Sequence, residues 1–457
     1  MTITESALFA ATVRDLASTP VHYPGDDGYD AARAAWNTAV DLRPAAVALP
    51  RRAEEVAAVV RAAAETGLRV APQSTGHAAA ALVGEDLADV VLVNLKDFTG
   101  VTIDPEARTA RVLGGTLWQD VVAAAAPHGL TALHGSAGDV AVAGYALHGG
   151  LSFYARLHGL AVNSIRAVEL VTADGTIVRT SHEENSALFW AVRGGAGAFG
   201  VVTAIELDLL PVRDIVGGML LWDASEARHV LAGWRDWAAT ASEQVTTSFR
   251  IMHFPPIPEL PPFLSGRSVV VVDGAIVGDD ASAADILEPL RRLAPELDTF
   301  GRIPAPQLLS VHMDPPQPTP GVSAHAVVDV LPDAAVEAFL AAAGPASGVM
   351  FAELRQLGGA LGRPQAGAGA VSGIAGAFAA YAIAVAPTPE AAAAGTAATR
   401  AVIATLEPYR VPSVLLTFAD GAGETAERYG TSAERLVAEA RRFDPAGRFV
   451  ASAALRG

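Results

Sequence analysis

Cysteine is absent from this chain of 457 residues. That excludes disulfides, thiolate metal sites, iron–sulfur clusters and thiol nucleophiles. Lysine is nearly absent as well: Lys96 stands alone in a sequence rich in alanine. This is a compositional bias and carries no functional message. Charged residues make up only 18% of the chain against 51% hydrophobic, a balance that excludes disorder for its bulk. A basic surplus is also missing. The net charge of −17 argues against nucleic acid, which needs a basic face, and the acidity serves solubility. Long apolar runs are lacking too: residues 336–343 and 374–386 fall short of the roughly 20 residues a membrane span needs. Residues 1–19 contain Glu5, Arg14 and Asp15 and have no continuous apolar core of the secretory type. The expectation is a soluble, cytoplasmic protein with no membrane partner, and its length implies two or three domains.

The most informative stretch that is present is Val70-Ala71-Pro72-Gln73-Ser74-Thr75-Gly76-His77. A short strand over 68–72 runs into a loop of small residues that ends in histidine. Small side chains let a diphosphate approach several backbone N–H groups. Taken alone, His77 is an ordinary structural histidine as readily as a ligand-facing one.

Around this loop the pattern is regular. After a helical lead-in over 1–40, with a turn at 24–28, residues 45–49 read as a strand and 52–66 as an amphipathic helix carrying Val56, Val59, Val60 and Ala63 at helical spacing. Strands follow at 90–95, 101–104 and 109–113, the last two as a hairpin, and then a helix over 116–128. Residues 135–152 read as a glycine- and alanine-rich loop. A second hairpin spans 165–179 about Ala173-Asp174-Gly175; a short helix at 188–192 and a strand at 201–209 follow. A boundary falls near 211–214. Beyond it, strands at 268–276, 324–330, 350–357 and 378–386 alternate with helices at 225–241, 281–293, 334–343 and 389–406, which suits an antiparallel sheet covered by helices on one face. Residues 411–449 return to a strand and a helix, the helix over 432–442.

Two patterns lose their sharper interpretation. Gly195-Ala196-Gly197-Ala198-Phe199-Gly200 formally matches a dinucleotide fingerprint, but a helix precedes it and a strand follows, the reverse of what that motif requires. His128, His134, His148 and His158 lie close in sequence, yet none pairs at i,i+4 with another metal-binding side chain, so no metal site is expected. Glu353 and Arg355, two apart on a strand, share one face. They read either as a surface ion pair of little worth or as a polar pair facing a substrate.

An ordered set of blocks resembles the FAD-linked oxidases of the vanillyl-alcohol oxidase superfamily, in the berberine-bridge-enzyme-like branch. Ala45, Val47, Leu49 and Pro50 with Glu54-Glu55-Val56 resemble the opening strand and helix. Ser74-Thr75-Gly76-His77 is similar to the pyrophosphate loop with its flavin-linking histidine. Gly129-Leu130, Gly135-Ser136, Val140, Gly144-Tyr145 and Gly149-Gly150 resemble the second flavin loop. Glu169 with Val171-Thr172-Ala173-Asp174-Gly175, Leu188-Phe189-Trp190-Ala191, Arg193-Gly194-Gly195 and Phe199-Gly200-Val201-Val202-Thr203 follow in the family's order. Arg435-Leu436 and Phe443-Asp444-Pro445 fit the closing helix. Agreement in the middle region is looser, through Arg355-Gln356-Leu357-Gly358-Gly359-Ala360.

The resemblance implies an α+β fold: a bipartite, PCMH-type FAD-binding domain from residues 1–212 and 405–457, with a substrate domain of residues 213–404 inserted between. It implies FAD contacts at Gln73, Ser74, Thr75, Gly76, His77, Ala78, Gly135, Ser136, Val140, Gly144, Tyr145, Ser152, Gly200, Val201 and Val202. His77 matches the histidine that members bond to the flavin 8α-methyl. The cysteine that some relatives use for a second bond is matched by Ala137, so attachment through His77 alone is expected. The implied activity is removal of a hydride from a small organic substrate, such as a secondary metabolite or its precursor, with molecular oxygen as acceptor. One departure stands out. Alcohol-oxidising relatives carry a tyrosine base in a Tyr-x-Asn-Phe/Tyr strand, and the matching residues here are Leu415-Leu416-Thr417-Phe418. Replacement bases are Tyr145, Tyr381, Tyr409, His253, His312 and Glu353, and the catalytic set expected is Tyr145, Glu353, Arg355 and Tyr381. A redox-neutral cyclisation or isomerisation, or a non-catalytic flavin- or ligand-binding role, stay open as alternatives.

Overall fold

The computed structural model describes residues 19–258, 260–261, 263–363, 365–419, 425–450 and 455. The first part of the expected helical lead-in, residues 1–18, lies outside them.

Two sheets form from the first half of the chain. One orders its strands Val21–His22, Ala46–Ala48, Val90–Asn94, Arg69–Gln73, the last three parallel. Ala46–Ala48 and Val90–Asn94 are buried throughout, as parallel strands covered on both faces must be. The helix Ala53–Glu65 buries Val56, Val59 and Val60 on one side, where they join Val70, Val91 and Val93 in one core. The second sheet is antiparallel, in the order Val101–Asp104, Thr109–Leu113, Val201–Asp208, Ile165–Val171, Ile177–Ser181. Both expected hairpins are present.

The far end of the chain returns to the first sheet. Val70 donates to the Arg448 carbonyl at 2.7 Å and Val450 to the Val70 carbonyl at 2.9 Å. The helix Ala433–Phe443 sends Leu436 and Ala440 into the same core as Phe189 and Val192 of the helix Ser186–Gly195.

Between these ends lies an eight-stranded antiparallel sheet. Its order is Leu297–Asp298, Asp214–Asp223, Ser268–Ile276, Val245–His253, Phe351–Gln356, Phe378–Val385, Gly321–Val328, with Gly301–Pro304 also paired to Asp214–Asp223. Side chains alternate between faces. One face puts Phe249, Val272, Leu354 and Ala380 against Trp234 and Phe339 of the covering helices. The other carries Ser248, Arg250, Asp273, Glu353, Arg355 and Tyr381, which share a face through their register. This second face turns toward the first half. Arg156 locks it there: its guanidinium donates to the carbonyls of Leu357 (2.9 Å), Ser242 (2.8 Å) and Val245 (2.6 Å). No helix among the described residues is long and apolar enough to cross a membrane.

Three local expectations need correction. Residues 135–152 are not loop throughout. Val142–Leu147 is a helix in which Val142, Ala143, Ala146 and Leu147 are buried, so packing overrides the low helix propensity of Gly144. The strands Asp214–Asp223 and Val245–His253 were not anticipated. Gly217-Gly218 masks the first; at Gly218 an added Cβ would meet the Phe300 backbone at 2.6 Å. Residues 411–418 form no strand. Arg410 makes one bridge to Val328, and Pro412, which has no N–H to give a ladder, is followed by a 3-10 turn at Leu416–Phe418.

Candidate active site

A cavity of about 460 Å³ lies between the first half of the chain and the inner face of the inserted sheet. Its size suits a small-molecule or cofactor site. Gln73, Ser74, Thr75, Gly76, His77 and Ala78 line one wall. They leave the carboxyl end of the strand Arg69–Gln73, the edge where open α/β sheets bind ligands. Gly76 turns this loop at φ +80°, and an added Cβ would sit 2.8 Å from the Ala35 Cα, so the turn admits only glycine. Neighbours hold the loop in place. Ser74 Oγ donates to the Gly114 carbonyl at 2.8 Å, Gln73 Nε2 to the Ala34 carbonyl at 3.2 Å, and the Trp36 amide to the Thr75 carbonyl at 2.9 Å.

His77 is boxed in. Its ring stacks on Trp36, centroids 4.3 Å apart and planes 17° from parallel. Nδ1 lies 2.8 Å from Thr75 Oγ1 and Nε2 lies 3.7 Å from Asp139 Oδ1. Burial pushes the imidazole pKa down to about 4, against the pull of the Asp139 and Asp314 carboxylates. The ring is therefore neutral at pH 7. Nε2 is buried with no hydrogen-bond partner.

Gly135, Ser136, Val140, Gly144 and Tyr145 supply a second wall, joined by Gly200 and Val202. The Tyr145 ring fills space that Gly150 leaves open: a Cβ there would lie 2.6 Å from Tyr145 Cε1. The Tyr145 hydroxyl is buried and unpartnered, and burial raises its pKa despite the Arg355 charge. It can donate a proton in a hydrogen bond but is a poor proton acceptor. Two residues assigned to this region do not line the cavity. Ser152 is buried behind it, its Oγ accepting from the Tyr154 amide at 3.3 Å. Val201 is wholly buried in the core beneath the loop.

The opposing wall is polar and buried. Glu353, Arg355, Tyr381, His312 and Asp314 line it. Arg355 Nε donates to Glu353 Oε1 at 2.7 Å; both side chains are under 10% exposed, so this is no surface ion pair. The Arg355 guanidinium lies 5.8 Å from the Phe153 ring and 5.5 Å from the Phe418 ring. Tyr381 stacks on Phe418 at 4.9 Å. Behind them, Arg250 Nη2 donates to Asp273 Oδ2 at 2.7 Å, and His312 Nδ1 lies 2.6 Å from the same oxygen. Burial works to raise the Asp273 pKa, but the Arg250 charge and the hydrogen bonds from His312 and Ser248 hold it below the usual carboxylate range.

Of the six replacement bases, Tyr145, Tyr381, His312 and Glu353 reach the cavity, whereas Tyr409 and His253 do not. His253 is spent on the Ser268 hydroxyl and the Ala343 carbonyl, both at 2.8 Å. Leu415 is buried at 2% exposure and does not line the cavity, although Leu416, Thr417 and Phe418 do. Sequence reasoning missed Asp273, Arg250, Asp314, Trp36 and Asp139. One signal was available: Asp273 interrupts the run Val269-Val270-Val271-Val272, and a carboxylate inside a buried strand demands a partner. Among the described residues, no group of three His, Asp or Glu side chains could hold a metal ion.

A flavin nucleotide fits these walls: a small-residue loop for a diphosphate, an orphaned imidazole nitrogen and phenol hydroxyl inside, and largely apolar surroundings. A family model described as an FAD binding domain matches residues 44–181. Over 223 residues the chain is 35% identical to (R)-6-hydroxynicotine oxidase of Paenarthrobacter nicotinovorans, covering 49% of this chain and 45% of that protein. In sequence, then, the chain spans about half the length of the curated relatives it matches. In structure the likeness runs further. The 6-hydroxy-D-nicotine oxidase of Arthrobacter nicotinovorans superposes with a TM-score of 0.83 at 25% identity, over 94% of this chain and 96% of that one. The wild-type BBE-like 1 protein of Physcomitrella patens gives 0.83 at 21% identity, over 98% of each. The chain thus carries an FAD-binding domain within the fold of the berberine-bridge-enzyme-like oxidases of the vanillyl-alcohol oxidase superfamily.

Proposed function

We propose that the protein is an FAD-linked oxidase that removes a hydride from a small organic substrate and uses molecular oxygen as acceptor. The observation that carries this reading is the facing of two walls across one cavity: the His77 loop on one side, the Glu353–Arg355 pair on the other. Residues 1–212 and 405–457 form the flavin half in this reading, and residues 213–404 the substrate half. FAD, when bound, supplies the hydride acceptor and the route of electrons to oxygen. The protein's own work is to bind, orient and manage the proton.

Backbone N–H groups of residues 73–78 would hold the diphosphate, and His77 would be the covalent anchor. With Nδ1 engaged by Thr75, Nε2 would be the nitrogen free to take the bond, and the neutral ring is the form in which its lone pair is available. Glu353 accepts the substrate proton. Arg355 engages one of its oxygens, and Phe153 and Phe418 hold Arg355 in turn. Tyr145 donates a hydrogen bond to the substrate. Tyr381, stacked on Phe418, shapes the wall.

A second reading rests on Leu415, buried where alcohol-oxidising relatives have tyrosine. Without that base, the same site could run a redox-neutral cyclisation or isomerisation. A panel of small alcohols, amines and oligosaccharides, mixed anaerobically with the purified flavoprotein, separates the two. The oxidase reading expects bleaching of the flavin by at least one compound, then hydrogen peroxide when air is admitted. Conversion of a compound with no oxygen consumed supports the second reading and contradicts the first.

A further inference from the structure

We propose that His312, backed by Asp273, is a second proton site of the active centre and receives the proton that Glu353 takes from substrate. This rests on the assignment of Glu353 as acceptor. The geometry is a buried line across three adjacent strands and one loop. Arg250 Nη2 reaches Asp273 Oδ2 at 2.7 Å. His312 Nδ1 meets the same oxygen at 2.6 Å. On the other edge of the imidazole, Nε2 lies 3.3 Å from Arg355 Nη2 and 3.9 Å from Glu353 Oε2. Strand register fixes the row: Ser248 pairs with both Asp273 and Arg355, and Arg250 pairs with Glu353. Ser248 Oγ also donates to the other oxygen of Asp273.

An ionised carboxylate cannot donate, so a neutral His312 facing Asp273 must carry its proton on Nδ1. Nε2 is then the acceptor, aimed at Arg355 and Glu353. The backbone pays attention to this aim as well: Met313 holds φ +58°, a region uncommon for non-glycine residues, and its two neighbours His312 and Asp314 both line the cavity.

The transfer balances without a co-reactant. As the substrate gives up its hydride, a hydroxyl or amine proton passes to Glu353 Oε2, breaking the substrate bond and forming O–H. That O–H then breaks as Nε2–H forms, which restores the Glu353 carboxylate and leaves an imidazolium against the Asp273 carboxylate. Arg250 and Arg355 are matched one for one by Asp273 and Glu353, so the added charge rests on His312; Asp314, two residues on, lines the same cavity. Tyr145, Tyr381, His77, His148, Arg428 and Tyr429 are further titratable groups among the described residues that line the cavity.

The test is nitrogen-15 NMR on histidine-labelled protein purified with its flavin, with the His312 signals assigned by their loss in His312→Gln. Should that variant not fold, contacts with the Phe153 ring, whose centroid lies 5.9 Å away, assign them in the wild type. At pH 8 the expected result is the Nδ1–H tautomer with a low-field proton. In Glu353→Gln, loss of the charge 3.9 Å from Nε2 should move the Nε2 chemical shift while the Nδ1–H signal facing Asp273 is retained. An Nε2–H tautomer, or an Nε2 shift that Glu353→Gln leaves unmoved, overturns the proposal. The readout needs no substrate, so it stands apart from the outcome of the substrate panel.

Discussion

The two walls of the cavity are built on opposite principles. The loop wall is made of small residues whose side chains are tied to the scaffold: Ser74 to Gly114, Gln73 to Ala34, Thr75 to His77. It offers backbone to a ligand, and its information is local. The sheet wall offers side chains. Arg250, Asp273, His312, Glu353 and Arg355 come from three strands and a loop, and apart from Glu353 and Arg355, two residues apart on one strand, it is the fold that brings them within reach of one another. A backbone cradle tolerates side-chain change, whereas a buried charge network does not, because each member leaves another charge unpaired.

Substitutions on the two walls sharpen that contrast. The largest effect is expected at Asp273→Asn, which leaves Arg250 buried beside a neutral amide. Breaking such a pair costs about 3–5 kcal/mol, read as a lower urea midpoint, while Asp89→Asn at the half-exposed Arg69 pair should cost about 1 kcal/mol or less. Next comes Glu353→Gln. Loss of a general base should lower turnover about 100-fold or more with the flavin spectrum retained, whereas Ser74→Ala on the loop wall should leave turnover within about threefold, since ~0.6 kcal/mol corresponds to that factor. Equal losses at both positions would break the comparison.

The smallest effect is a pH dependence. Burial pushes the pKa of His134 and of His325 down to about 4 in the folded chain, against about 6.5 unfolded. The unfolded chain then binds more protons between these values, so their contribution to stability is present above pH 6.5 and lost as pH falls toward 4. Carboxylates held low by arginine, such as Asp89 and Asp273, act only below about 3.8, so this window belongs to the histidines. Thermal midpoints measured between pH 7 and pH 4.5 should fall, and fall less in His134→Gln. An identical slope in the variant would contradict the assignment.

The same difference explains what the sequence disclosed. The loop at 73–77, its supporting strand and helix, and both hairpins follow from short-range pattern, and the structure has them within a few residues. The pairing of Glu353 with Arg355 was visible as a shared strand face, but its burial was not. Asp273 and His312 lie 39 residues apart, and only the fold brings them together. Residues 411–418 were misjudged because pattern alone did not weigh the missing amide of Pro412. The helix Val142–Leu147 was missed because its burial, and not its composition, makes it helical.

The central claim is that the loop wall holds FAD and that His77 anchors it. The direct measurement is acid precipitation of the purified protein, followed by tryptic digestion and mass analysis of residues 70–96, the fragment between Arg69 and Lys96 that contains His77. The account predicts a yellow pellet and a flavin-bearing fragment. In His77→Ala, all flavin should pass to the supernatant while the native protein still binds it. An unmodified fragment, with all the wild-type flavin in the supernatant, would contradict the anchor.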